Sequence, residues 1–141
     1  MPQGKTVRVE ISFGELIDKL TILEIKAERL RDPGQLCHVR DELERLRRAK
    51  AAAVVPSAEL DELAASLKEV NQSLWEIEDE IRRCERNADF GPRFVELARS
   101  VYRNNDRRWA LKRRINELLG SELVEEKSYT DYSQRREPHG G

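Results

Sequence analysis

Aromatic side chains are scarce in this chain: three Phe, three Tyr and two Trp among 141 residues. Beside a charged content of 38%, that scarcity fits an Arg-, Glu-, Leu- and Ala-rich helical protein of one domain, long enough to bury a core. Net charge is lacking too, since 26 basic residues meet 27 acidic ones. A protein that grips nucleic acid by neutralising phosphates carries a clear basic excess, so nucleic acid is not an expected partner. No apolar run reaches the ~20 residues of a membrane span, and MPQGKTVRVEIS has no apolar core of a secretory signal. A cytoplasmic protein with no membrane partner is expected. The two cysteines, Cys37 and Cys84, are expected as reduced thiols packed on helices. There is no glycine-rich phosphate loop and no Ser or Cys nucleophile with a His partner. Cys37-His38 has no partner at metal-ligand spacing, so neither a metal site nor a cofactor is expected.

What is present is helical periodicity. KTVRVEIS alternates Val7, Val9 and Ile11 with charged neighbours, a short strand-like, extended lead-in. Ser12 opens a capping box, S-F-G-E, with Glu15 reaching back to the Ser12 amide. The first helix carries Leu16, Leu20, Leu23, Ala27 and Leu30, widened by Ile17, Ile22 and Ile25, and stops at R-D-P-G. Asp32 caps the second, with Pro33 at its first position and a stripe of Leu36, Val39, Leu43 and Leu46. Ser57 caps the third, whose stripe runs Leu60, Leu63, Leu67, Val70, Leu74, Ile77, Ile81, Cys84. That 3.5-residue period is the mark of coiled-coil-like packing. Pro92 starts the fourth helix, and Gly120 is its natural stop. The fold class is therefore all-α: two antiparallel helical hairpins in an elongated bundle, a single domain over residues 1–132. Residues 133–141 are expected to be a disordered tail, while Leu123, Val124, Tyr129 and Tyr132 are placed to dock the preceding segment.

The two hairpins differ in length. At 1.5 Å per residue the first two helices are about 30 Å long and the last two about 45 Å. Part of the long hairpin's apolar seam then overhangs, and either the C-terminal segment or a second chain must cover it. A homodimer is the expected solution. From Ser57 to Ile81 there are eight acidic residues and one Lys, whereas Pro92 to Leu119 holds eight basic and three acidic residues. Either the helices pair their charges along the seam, or Arg99, Arg103, Arg107 and Arg114 form an anion-binding stripe.

The fourth helix also breaks its own seam. In LARSVYRNNDRRWALKRRINELLG, Leu97, Val101, Leu111, Ile115 and Leu118 keep the apolar spacing, but the two steps between them fall on Asn104 and Arg108. On helix three Asn71, Trp75, Glu78 and Arg82 share one face at matching height. Asn105, Lys112 and Asn116 lie beside the break. A buried Arg needs a carboxylate, and Glu78 and Asp79 are the nearest candidates across the seam. The cluster is either a register-setting polar layer or a pocket for a small anionic ligand walled by Arg108 and Lys112. A third arrangement joins Glu15 and Asp18 with Glu76 and Asp79 around magnesium, as a hydrolase or transferase of phosphorylated metabolites would need.

Three blocks, FGELIDKLTILEIKAERL, VNQSLWEIEDEIRRCE and FVELARSVYRNNDRRWALKRRINELLGSELVEEKSY, resemble an uncharacterised, mostly proteobacterial helical domain family of unknown function. The resemblance runs from Ile11 to Tyr132 and implies no activity, only a context near repeat proteins or cell-surface polysaccharide machinery. It covers Asp18, Lys19, Glu24 and Lys26, then Asn71, Trp75, Glu78 and Asp79, and later Asn105, Asp106, Arg107, Lys112 and Asn116. It extends to Glu125, Glu126, Lys127 and Tyr129; Trp109 and RREPHGG lie outside it. The function expected is a non-enzymatic module that binds a protein partner or assembles, the magnesium enzyme being the alternative.

Overall fold

The structure, a computed structural model, describes residues 4–129, 131 and 132. It is an all-α bundle of four helices: α1 (Phe13–Arg29), α2 (Pro33–Ala53), α3 (Ala58–Arg86) and α4 (Pro92–Leu119). Each boundary has a local cause. The Ser12, Asp32 and Ser57 side chains accept from the amides of Glu15, Gln35 and Leu60, satisfying donors the first turns leave open. Pro33 and Pro92 stand at helix starts, where no amide is missed. Gly120 ends α4 in the left-handed conformation, φ 67°. The α3–α4 turn is tight enough to hold Ala88 at φ 51°, a strained position for a residue with a Cβ.

Among the described residues α1 is the one helix that packs against all three others, and α2 meets α1 alone. Burial reflects this: α1 buries eight of its 17 residues, while α2 buries only Val39 and Leu43. Leu16, Ile17, Leu20 and Leu23 of α1 join Val39 and Leu43 of α2, Leu60, Leu63 and Leu67 of α3, and Ile115 of α4 in one core. Burying such a side chain contributes about 1.5–3 kcal/mol. The core therefore sits at the proximal end of the long hairpin. Farther out, Val70, Leu74, Ile77, Ile81, Phe94, Leu97 and Val101 are only half-buried, and Phe90 and Val95 are about half exposed, at 53% and 52%. The last ion pair from α1 to α3 joins Arg29 to Glu76 at 3.1 Å.

Three expectations need correction. The N-terminal lead-in forms no strand: Val7 and Val9 are exposed, and the described residues contain no second strand to pair with. Cys84 is buried, but Cys37 is exposed, because it lies one residue off the Leu36/Val39/Leu43 stripe and so turns outward. The opposite charges of α3 and α4 pair directly across their seam only near the turn, where Arg93 meets Glu80 at 2.5 Å. Elsewhere Arg99 and Arg103 turn to Glu96 of their own helix. The tail expected at residues 133–141 lies outside the described residues. No helix among those described is long and apolar enough to cross a membrane.

Candidate functional site: a charge-paired centre between two grooves

The first turn of α1 docks on the last turns of α4. Three amides at its start find three different side chains. Phe13 donates to Ser121 Oγ at 3.3 Å, Gly14 to Asn116 Oδ1 at 2.6 Å, and Glu15 to Ser12 Oγ at 3.1 Å. Asn116 is buried, and Gly14 presses so closely on the Lys112 carbonyl that a Cβ has no room. A hydrogen bond to an otherwise orphaned buried amide fixes both distance and orientation.

One turn further along α1 lies Asp18, 1% exposed. Its carboxylate takes a bidentate bond from Arg108 of α4, Nε to Oδ1 at 2.9 Å and Nη2 to Oδ2 at 2.5 Å. Oδ1 also accepts from Asn71 Nδ2 of α3 at 2.9 Å. The same Asn71 amide donates to Thr21 Oγ1 at 2.9 Å, and the Thr21 hydroxyl donates to the Asp18 carbonyl at 2.8 Å. Three helices thus meet on one carboxylate. The Asp18 hydrogen bond holds the Arg108 proton and raises its pKa against the burial that would lower it. Among the described residues no buried side-chain polar atom lacks a partner. The seam break is therefore satisfied from α1 rather than from across the hairpin. Arg108 pairs with Asp18, not with Glu78 or Asp79.

Lys112, 6% exposed, carries the second charged node. Its ammonium lies 2.9 Å from Glu15 and 2.7 Å from Glu125. The Glu15 side chain, expected in a capping box, is engaged with Lys112. Burial lowers the Lys112 pKa, but the hydrogen bonds it donates to Glu125 and Glu15 outweigh it and the net direction is up. A raised folded pKa contributes stability that is complete below the unfolded value and is lost as pH climbs through the folded one. The stability gap between wild type and Lys112→Met should accordingly stay constant to about pH 9 and shrink above roughly pH 10.5. Urea titrations across that range measure it.

Two open grooves flank Arg108 and Asn105. The larger, about 1110 Å³, runs between α4 and the segment after it, described over residues 121–129, 131 and 132. That segment is held by Trp109 Nε1 donating to the Glu125 carbonyl at 3.0 Å and by Lys127 donating to the Asn105 carbonyl at 3.1 Å. The smaller, about 470 Å³, is lined by Ile22, Leu74, Trp75, Glu78, Arg82 and Asn71 among others. Asn71, Arg108 and Lys112 therefore stand at the centre, while Trp75, Glu78, Arg82 and Asn105 form groove walls. Glu78 and Arg82 pair with each other at 3.0 Å on the exposed face of α3. Asn104 belongs to neither groove, since its amide folds back onto the Ser100 carbonyl of its own helix at 2.8 Å.

The magnesium arrangement does not assemble among the described residues. Asp18 is taken by Arg108, Glu15 by Lys112 and Glu76 by Arg29, and no three His, Cys, Asp or Glu side chains converge to hold a metal ion. The sequence does not single out Thr21, Gly14 or Ser121, and it offers Asp18 as a magnesium ligand rather than as the partner of Arg108. The pairing had a readable signal: Asp18 shares a face with Ile22 and Ile25, and a carboxylate buried on an apolar face demands a cation.

These features define a small all-helical bundle with a charge-paired centre. The chain belongs to a family of unknown function (DUF6165), whose model matches residues 7–138. No curated protein and no solved structure matches the chain.

Proposed function

We propose that the protein is a non-enzymatic assembly module that pairs with a second copy of itself through the outer half of the α3/α4 hairpin. The observation that carries this is the uncovered seam beyond Glu76. There Ile77, Ile81, Phe94, Leu97 and Val101 are half-buried, and Phe90 and Val95 are open to water. Two helices alone cannot close such a seam, whereas two hairpins brought together make a four-helix bundle that does. Charge favours self-pairing. A two-fold axis sets the acid-rich α3 of one copy against the base-rich α4 of the other, pairing charges that meet only near the turn within one chain.

Light scattering should give twice the 16.4 kDa chain mass at about 100 µM, a concentration suited to micromolar self-association. Val95→Asp should halve that mass without loss of helical circular dichroism, since Val95 is half exposed and outside the core. A wild-type protein that stays at the single-chain mass contradicts the reading.

A further inference from the structure

The groove between α4 and residues 121–129, 131 and 132 holds a concentration of aromatic rings that lie outside the hydrophobic core. All three tyrosines of the chain, Tyr102, Tyr129 and Tyr132, line it together with Trp109. Their exposure is high: 81% for Tyr129, 50% for Tyr132 and 39% for Tyr102. In a chain so poor in rings, a core would have claimed them. Tyr102 and Tyr132 lie 4.8 Å apart, and the Tyr132 hydroxyl donates to Asp106, which raises its pKa and keeps the phenol neutral.

The charge of the groove is the reverse of what Arg108 and Lys112 suggest from sequence. Glu15, Asp106, Glu125 and Asp131 line it, with Asp18 directly behind Arg108, against the three cations Arg108, Lys112 and Lys127. Each cation is already engaged: Arg108 bidentately, Lys112 by two carboxylates, Lys127 by Asp106 at 3.7 Å. An incoming anion would have to displace a protein carboxylate to reach any of them. A cation meets exposed ring faces, which are negative, and carboxylates with spare lone pairs. The chain itself shows the seating: Lys127 lies 5.6 Å over the Tyr129 ring while donating to the Asn105 carbonyl.

We propose that this groove is a binding site for alkylammonium groups, carried by a linear polyamine or by lysine side chains of a partner. Tyr129, Tyr132 and Tyr102 supply ring faces, and Asp106, Glu125 and Glu15 supply the counter-charge. The Lys112 triad keeps a net negative charge in the groove wall after its internal pairing.

The test uses the full chain with Trp75→Phe, leaving Trp109 as the single fluorescent reporter inside the groove. Spermidine at low salt should change its emission saturably. Tyr129→Ala, at a ring 81% exposed and outside the core, should weaken binding at least fivefold, as should Asp106→Asn. A tri-lysine peptide binding more tightly than spermidine, and losing that on acetylation of its side-chain amines, assigns a protein source. The converse order assigns free polyamines. Saturation by inorganic phosphate or a neutral oligosaccharide but by neither amine overturns the proposal. Amine binding unchanged in both variants overturns it too, as does no response to either amine.

Discussion

Asp18→Ala should lower the melting temperature by about 10–15 °C, the equivalent of roughly 3–4 kcal/mol in a domain of this size. The effect is large because the substitution removes the shared acceptor of two helices at once. Arg108 would keep its charge with its side chain only 30% exposed and no carboxylate bonded to it, and Asn71 would lose one of its two acceptors. Breaking a buried pair from one side costs more than the pair contributes, since the surviving charge stays desolvated. Replacing both members with apolar residues, as in Asp18→Leu with Arg108→Met, should recover most of the loss. Thermal melts by circular dichroism of the three proteins measure it. A single variant within about 1 kcal/mol of wild type, the range of an exposed pair, would show that Asp18 is solvated.

Gly14→Ala should destabilise by about 2–4 kcal/mol, although the same change inside an ordinary helix gains about 1 kcal/mol. The added Cβ would strike the Lys112 carbonyl of α4, which is backbone and cannot swing away, and would lie 3.0 Å from Asn116 Oδ1. Relief requires moving α1 off α4, which stretches the 2.6 Å bond from the Gly14 amide to Asn116 and leaves a buried donor wanting. Gly34→Ala is the matched control. Its Cβ meets only the Asp32 side-chain carboxylate at 3.2 Å, the oxygen that caps Gln35, which can give by a few tenths of an ångström, so the change should be close to neutral. Urea midpoints of the two variants should move in opposite directions or differ by more than the extrapolation error. Equal midpoints would show that the α1–α4 approach is looser than the geometry described.

The architecture was legible because each helix carries its own local punctuation. Ser12, Asp32, Ser57, Pro33, Pro92 and Gly120 stand at the observed boundaries, and the α2 stripe of Leu36, Val39, Leu43 and Leu46 is the face it buries. The length mismatch of the hairpins was readable for the same reason. The site was legible only by half. Arg108 and Asn71 stood out as polar residues in or beside an apolar stripe, but periodicity reports which face is buried and not which helix covers it. Assigning Arg108 to Glu78 or Asp79 assumed a partner within the hairpin, whereas the central position of α1 brings Asp18 there instead. Gly14 in the first turn of a strong helix was the unused clue, because a glycine there weakens the helix unless another backbone comes close. One of the two readings of the cluster makes Lys112 the wall of an anion pocket, and only the fold reveals Glu15 and Glu125 on either side of it. Long-range pairing of that kind, 97 positions apart for Glu15 and Lys112, has no local signature.

The buried Asp18–Arg108 pair joining α1 to α4, with Asn71 of α3 on the same carboxylate, is the centre of this structure. A double-mutant cycle on Asp18 and Arg108, with Asp18→Ala, Arg108→Ala and the double variant unfolded in urea, measures that link directly. The geometry predicts a coupling energy of about 2 kcal/mol or more, with the double variant more stable than the sum of the single losses. Losses that simply add, to within about 0.5 kcal/mol, would contradict it.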